Sequence, residues 1–194
     1  MAFALGNEQD LKGQIAEYRE GLRLNPDNVE EHNNLGIALS QNHDLNGAVT
    51  EYRAALRLKP DDGEAHNNLG LVLRIRHDLD GAIAEYHEAL RLNPNSAEAH
   101  NNLGVALYEK HELNGAMEQY RKALQLNPFY GEAHDNLAIA LSDQHNLDGA
   151  IAEYREAVRL RPDDIAVRRR LQRTLDERQS ALEAVRPNHA SADQ

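Results

Sequence analysis

Proline recurs in this chain at a constant spacing, and that period limits the possible folds more than any other feature. The intervals are all 34 residues, and the prolines are Pro26, Pro60, Pro94, Pro128 and Pro162. The letters between them also recur in register, as in AHNNLG at 65–70. A fixed period of about 20 to 50 residues indicates a repeat array. We predict four full units, at 29–62, 63–96, 97–130 and 131–164, preceded by a partial unit at 1–28.

Each unit contains the start and stop signals of two helices. Asn28, Asp62 and Ser96 precede the first helix, and these residue types cap helix N-termini well. That helix is predicted to end at a histidine, because histidine tolerates the left-handed conformation better than most non-glycine residues. The histidines concerned are His43, His77, His111 and His145. The second helix is predicted to end before the proline, and its predicted caps are Asn46, Asp80, Asn114 and Asp148. A hairpin of two such helices cannot bury its apolar face alone, so the units are predicted to stack.

The two ends of the chain differ from the repeats. Residues 165–186 keep helical periodicity but carry many arginines, which predicts a capping helix that shields the last repeat. Residues 187–194 follow a proline and are predicted to be disordered. Met1 falls in the seventh place of a unit, which predicts either an abbreviated cap or a fragment of a longer protein.

The unit resembles the tetratricopeptide repeat, and the resemblance covers nearly the whole chain. The family pattern is Trp-x2-Leu-Gly-x2-Tyr, then Ala-x3-Phe, then Pro. Its counterparts in the second full unit are His66, Leu69, Gly70, Leu73, Ala82, Tyr86 and Pro94. Histidine replaces tryptophan, leucine and tyrosine replace the two aromatic residues, and Ala138 replaces the glycine in the last full unit. The resemblance implies an all-α fold: a right-handed α-solenoid of stacked helix-turn-helix repeats with a C-terminal capping helix and a concave groove.

Helical geometry divides the first helix of each unit into two faces. At about 100° per residue, His66, Leu69 and Gly70 share the sector that faces the second helix, and Gly70 is predicted to allow close approach to Ala82. We call the opposite sector the groove face, since the resemblance implies that it lines the groove. Its asparagines are Asn34, Asn68, Asn102 and Asn136, with Asn33, Asn67 and Asn101 beside them. An apolar stripe on the same face consists of Ile37, Leu71, Val105 and Ile139.

The groove-face asparagines suggest a binding role. Asparagine is a poor helix former, so its recurrence in register needs a reason. A column of side-chain amides offers donors and acceptors to the backbone of an extended peptide, while the apolar stripe could take the peptide's side chains. The arrangement resembles the asparagine ladder in the superhelix of O-linked N-acetylglucosamine transferase. The expected partner is therefore a protein or peptide segment.

The charged and aromatic residues of this face refine the expected partner. The glutamates Glu30, Glu64, Glu98 and Glu132 form one column, whereas a carboxylate clamp for chaperone tails would need lysine and arginine there. We expect Glu64 and Glu98 to favour peptides with basic residues. Tyr108 occurs only once on this face and is a candidate specificity contact.

Several alternatives remain open at this point. The asparagines could bond the neighbouring repeat, the glutamates could stabilise the helix dipole, and the apolar stripe could be packing between successive first helices. The chain could also be an accessory substrate-binding domain of a larger enzyme such as a glycosyltransferase. A further alternative is a structural module that self-associates weakly through its terminal helices.

Composition and spacing argue against several other functions. The net charge of −11 argues against nucleic-acid binding, and no segment has the roughly 20 apolar residues of a membrane span. The absence of cysteine and of a signal peptide fits a cytoplasmic location. Two histidine columns are 11 residues apart along the chain, which does not suit two metal ligands on one helix. We expect no metal, no cofactor and no enzymatic activity, because the carboxylates follow the repeat instead of converging on one place.

Overall fold

The computed structural model describes residues 2–185, and every regular element in that range is a helix. The helices are α1 (Ala2–Leu24), α2 (Val29–Gln41), α3 (Leu45–Leu58), α4 (Gly63–Ile75), α5 (Leu79–Leu92), α6 (Ala97–Glu109), α7 (Leu113–Leu126), α8 (Gly131–Asp143), α9 (Leu147–Leu160) and α10 (Ile165–Val185). The predicted all-α class is confirmed. The predicted disorder of 187–194 lies outside the described residues. Where the partial first unit was predicted, α1 is one continuous helix.

The chain divides into two units, and the first comprises Met1–Lys110. Within it, each helix from α1 to α6 packs against the next along the chain, so that α2 with α3 and α4 with α5 form helical hairpins. The first helices of successive repeats also touch, because α4 contacts both α2 and α6. The buried core contains both large and small side chains, among them Leu69, Tyr86 and Ala82.

The second unit comprises His111–Gln194 and is built in the same way. Helix α8 packs against α7 on one side and forms a hairpin with α9 on the other. Helix α10 packs against α9 and buries Val167 completely. Its N-terminus is capped by Asp164, whose Oδ1 accepts hydrogen bonds from the backbone N–H groups of Ala166 and Val167.

The helix boundaries follow local chemistry, and most of the predicted signals are confirmed. The side chains of Asn28, Asp62 and Ser96 each accept a hydrogen bond from the backbone N–H group three residues later, at the start of α2, α4 and α6. All four turn histidines adopt positive φ, between 59° and 64°. The predicted caps of the second helices are wrong by two residues. The observed caps with a side-chain bond are Asp44, Asp78 and Asn146.

The reason for that two-residue error is the tightness of the turn. The N–H group of Asp78 donates to the carbonyl of Leu73, and the N–H group of His77 donates to the carbonyl of Arg74, which closes α4 with a left-handed cap. The side chain of Asp78 then accepts from Gly81 and starts α5. One residue therefore ends the first helix and begins the second.

Gly70 serves a different contact from the predicted one. A Cβ atom placed on Gly70 would lie 2.8 Å from Cε1 of Tyr86, and one on Gly36 would lie 2.7 Å from the same atom of Tyr52. Both tyrosine rings are buried. The glycine therefore makes room for an aromatic ring of the second helix and not, as predicted, for Ala82.

Histidine replaces the family tryptophan by making polar contacts in its place. Nδ1 of His66 lies 2.6 Å from Oε2 of Glu85 on α5, and its Nε2 lies 3.1 Å from the carbonyl oxygen of Pro60. His32 makes the same pair of contacts with Glu51 and Pro26 in the preceding hairpin. In the second unit, the equivalent contacts join His134 to Glu153 and Pro128. Each of these histidines thus ties the two helices of a hairpin to the loop before it.

Candidate functional site

The groove face of the first unit is formed by α2, α4 and α6. The asparagines Asn34, Asn68 and Asn102 are half-buried, and so are the stripe residues Ile37, Leu71 and Val105. The side-chain amides of Asn34 and Asn68 form no hydrogen bond with any other described residue. An amide column and an apolar column therefore run side by side, and both retain exposed surface for another molecule.

In the second and third full units, the structure separates the two adjacent asparagines. Asn67 is only 7% exposed and Asn101 is completely buried, so both lie mostly between helices and are less open than predicted. Nδ2 of Asn67 donates to Oε1 of Glu98 at 3.1 Å, and Oδ1 of Asn67 accepts from Nδ2 of Asn102, also at 3.1 Å. The first asparagine of the pair therefore links α4 to α6, which favours the alternative in which it holds the neighbouring repeat.

The corresponding link between α2 and α4 is incomplete. Asn33 occupies the place of Asn67 one repeat earlier, and its Oδ1 is buried without a hydrogen-bond donor among the described residues. Asn68, which has the place of Asn102, does not donate to it. Two repeats with the same letters thus differ in whether their amides are satisfied by the protein itself.

Two cavities lie at the N-terminal end of the groove face. One has a volume of about 400 Å³ and is lined by Val29, Glu30, Asn33, Asn34, Ile37, Lys59, Asp62, Glu64 and Asn68. The other has a volume of about 410 Å³ and is lined by residues that include Asp61, Glu64, Asn67 and Glu98. Glutamates from the predicted column line both cavities, and carboxylates outnumber basic groups in each. The local charge therefore favours cationic groups.

The opposite end of the groove face carries a salt bridge and an aromatic side chain. Nη1 of Arg74 lies 2.5 Å from Oε1 of Glu109, which joins the C-terminal turns of α4 and α6. Tyr108 is half-buried beside that glutamate on α6. The predicted specificity residue is thus accessible in part, next to a fixed charge pair.

In the second unit, Asn136 and Ile139 are half-buried on α8, in the register of the amide and apolar columns. Asp135 precedes them and is buried to 7% exposure. Its carboxylate accepts hydrogen bonds from Nη1 of Arg170 at 2.8 and 3.0 Å and from Nη2 of Arg161 at 3.4 Å. Sequence reasoning missed Arg170 as a partner. The available signal was that Asp135 replaces an asparagine and that Arg170 stands two repeat periods after Asn102.

Neither a metal centre nor a membrane span is found in the described part of the chain. Among those residues, histidine, aspartate and glutamate form no cluster of three or more that could hold a metal ion. Across residues 2–185, no helix combines the length and the apolar character of a membrane span.

Comparisons with known families identify the repeat. Models described as TPR repeat or tetratricopeptide repeat match residues 17–50, 41–74, 72–111, 97–130 and 131–164. No curated protein matches the sequence significantly.

Solved structures share the fold at low sequence identity. MamA is 24% identical with a TM-score of 0.73, over 80% of this chain and 91% of that one. YrrB, described as a TPR protein with an unusual peptide-binding site, is 22% identical with a TM-score of 0.70, over 88% of both chains. TTC0263 of Thermus thermophilus, described as a thermophilic TPR protein, is 22% identical with a TM-score of 0.70, over 90% of this chain and 93% of that one.

Proposed function

Because the chain belongs to the tetratricopeptide repeat family, we propose that it is a protein-interaction scaffold that holds an extended peptide on its groove face. The matching family models describe repeats and not catalytic domains, which fits a binding role without chemistry of its own. YrrB, which shares the fold, is described as having a peptide-binding site. We further propose that the scaffold acts in the cytoplasm.

The observation that carries the proposal is the unpaired state of Asn34 and Asn68. Both amides are partly exposed on successive first helices, and no described residue satisfies them. A peptide in extended conformation presents N–H and C=O groups that can pair with such amides whatever its side chains are. Asn102 contributes differently, because its Nδ2 donates to Asn67 and its Oδ1 is left to accept from a ligand N–H group.

The apolar stripe and the glutamates set the expected preferences of the groove. Ile37, Leu71 and Val105 keep partly exposed apolar surface that can receive peptide side chains at intervals of one repeat. Glu30 and Glu64 are exposed and form no ion pair among the described residues. We therefore propose that the partner segment carries basic residues.

The expected affinity is modest. Three amide contacts at about 0.5–1.5 kcal/mol each contribute roughly 2–5 kcal/mol, and partial burial of the stripe adds a few more at about 25 cal/mol/Å². Association costs roughly 4–15 kcal/mol. We expect dissociation constants in the micromolar range or weaker, which suits reversible assembly.

A peptide array combined with two amide variants tests the proposal. We expect the wild-type chain to select extended, basic-rich segments, and Asn34→Ala with Asn68→Ala to lower their affinity about tenfold, since two amide contacts are lost. Asn95→Ala, an exposed loop asparagine, is the matched control and should bind as the wild type does. Equal affinities in all variants, or loss in the control alone, would contradict the proposal.

The remaining alternatives predict different results. If the terminal helices mediate self-association, light scattering over a concentration series will show a mass that rises with concentration. If the chain serves a larger enzyme, the same groove would hold that enzyme's substrate protein, and the array would still select extended segments.

A further inference from the structure

The cavity between α2 and α4 is lined by Asn33, whose Oδ1 is a buried acceptor that no described residue satisfies. We propose that this cavity is a subsite for one arginine side chain of the partner. We call it the α2–α4 cavity, and its lining consists of Val29, Glu30, Asn33, Asn34, Ile37, Lys59, Asp62, Glu64 and Asn68. The inference rests on the proposed function, because it assigns the preference of the groove face for basic peptide residues to the α2–α4 cavity.

Asn33 supplies the first argument. Its Oδ1 is buried and receives no hydrogen bond from any described residue, and an unmade bond leaves a buried acceptor at a cost that a partner could remove. At the same register one repeat later, Oδ1 of Asn67 is satisfied by Asn102. The equivalent hydrogen bond is therefore absent beside the α2–α4 cavity, which Asn33 lines. Because the oxygen is buried, the Asn33 amide must turn toward the cavity before a donor from another molecule bonds to it.

The charges around the cavity determine what kind of donor fits. Asp62 is already engaged, because its Oδ1 caps α4 and its Oδ2 lies 3.3 Å from Nζ of Lys59. That pair neutralises the one basic residue of the lining. Glu30 and Glu64 remain as exposed carboxylates without a basic partner in the described part of the chain. A cationic donor is therefore favoured over a neutral one.

The shape and the number of acceptors favour arginine over lysine. The acceptors come from two helices, since Asn33 is on α2 and Glu64 and Asn68 are on α4. A guanidinium group presents five N–H donors in a planar fork, whereas an ammonium group is a compact point charge. Val29 and Ile37 are half-buried in the same lining and can pack against the methylene stem of the arginine.

The test uses a small probe, so that it does not depend on an extended peptide. The chain of 194 residues is titrated with N-acetyl-arginine amide while the side-chain amide resonances of Asn33 and Asn68 are followed by NMR. We expect saturable shifts of both resonances. The nearly isosteric citrulline compound, which lacks the positive charge, should bind about tenfold more weakly, because it cannot form an ion pair with Glu30 or Glu64.

Two variants and one matched control complete the experiment. Asn33→Ala and Glu64→Gln should each weaken the arginine probe about threefold to tenfold, followed through the Asn68 resonance. Glu132→Gln changes an exposed glutamate of the same column in the second unit and should leave binding unchanged. Equal binding of the citrulline compound, or unchanged binding in both cavity variants, would overturn the inference. If the array selects peptides that need Asn34 but contain no arginine, the scaffold stands and the subsite falls.

Discussion

Adjacent asparagines in the first helix of a repeat have different surroundings. In the second full unit, Asn67 is buried and bonded to both Glu98 and Asn102, whereas the side chain of Asn68 is partly exposed and forms no hydrogen bond with another described residue. Consecutive residues of a helix point about 100° apart, which is enough to place one amide between repeats and the other in the groove. Stability and binding should therefore respond separately to substitutions one position apart.

Asn67→Ala is expected to lower the free energy of unfolding by about 1–2 kcal/mol, because Asn102 and Glu98 lose their shared partner. Asn68→Ala should change it by less than about 0.5 kcal/mol. Urea denaturation of both variants measures the difference. An equal loss in the two variants would show that both asparagines are structural.

His134 gives one repeat a dependence on pH. The Glu153 carboxylate 2.6 Å away raises the pKa of His134, and the Pro128 carbonyl and the charge of Glu156 add to the effect, while partial burial opposes it. Both ring nitrogens face acceptors, so the protonated ring makes two hydrogen bonds. The folded state thus holds this proton more tightly than the unfolded state does.

The sign of the resulting pH dependence follows from linkage. The contribution of His134 to stability is fully present below the ordinary pKa of 6.5 and is lost as the pH rises through the raised value. Glu153→Gln should reduce this loss, as measured by unfolding free energies at about pH 6 and pH 8.5. His87→Gln, at an exposed histidine of α5, should keep the wild-type profile. An unchanged profile in Glu153→Gln would contradict the assignment.

At the scale of helices, three of the hairpin turns each use one residue both to end the first helix and to begin the second. Asp78 closes α4 through its backbone N–H group and starts α5 through its side chain. Asp44 and Asn146 cap their helices in the same way, but Glu112 at the start of α7 forms no cap bond with its side chain. Glutamate carries one more methylene group than aspartate, which places its carboxylate beyond the N–H groups of the first turn.

Exchanging the cap residues of α5 and α7, aspartate for glutamate and the reverse, tests this explanation. Glu112→Asp keeps the charge and should raise the free energy of unfolding by about 0.5–1.5 kcal/mol through a new cap. The reciprocal change Asp78→Glu should lower it by a similar amount. Thermal or urea unfolding of the two variants measures both effects, and shifts of the same sign would rule out capping as the cause.

The contact between α8 and α10 repeats the link between α4 and α6 with charges. Asp135 and Arg170 stand in the places of Asn67 and Asn102, and the polar contact is kept. Arg170→Ala should lower the free energy of unfolding by about 1–3 kcal/mol, because a mostly buried carboxylate loses its closest partner.

The double variant Asp135→Asn with Arg170→Asn supplies the control for that prediction. It recreates the amide pair that the chain itself uses between α4 and α6, so it should recover most of the stability lost in Arg170→Ala. A double variant as unstable as the single one, in the same urea titration, would show that Arg170 acts through other contacts.

For the molecule as a whole, the dominant property is its acidity. The chain carries a net charge of −11, which should strengthen the binding of basic segments at low ionic strength. Raising the salt concentration from about 0.05 M to 0.5 M shortens the Debye length to a few ångströms. Anisotropy titrations should then show weaker binding of a basic peptide and little change for a neutral peptide of the same length. Equal salt responses of the two peptides would show that binding depends on the amides and not on charge.

The extent to which sequence predicted this structure depended on how local each feature was. The first-helix caps and the left-handed histidines were predictable, since neighbouring residues decide them. The caps of the second helices were misplaced because the turn shares Asp78 between two helices. Burial of Asn67 could not be inferred from one helix, because α6 creates it. The pairing of Asp135 with Arg170 joins residues far apart in sequence, and only the repeat register relates them.

Helix α10 places Arg170 where a further repeat would place an asparagine, and Asp135 is the residue that matches it. The repeats are consequently not interchangeable. Moving the second full unit, with Asn67 in that position, next to α10 would bring the guanidinium group against a neutral amide. An engineer who extends or shortens this array should therefore insert or remove units ahead of the last one and keep residues 131–185 together as a fixed terminal cassette.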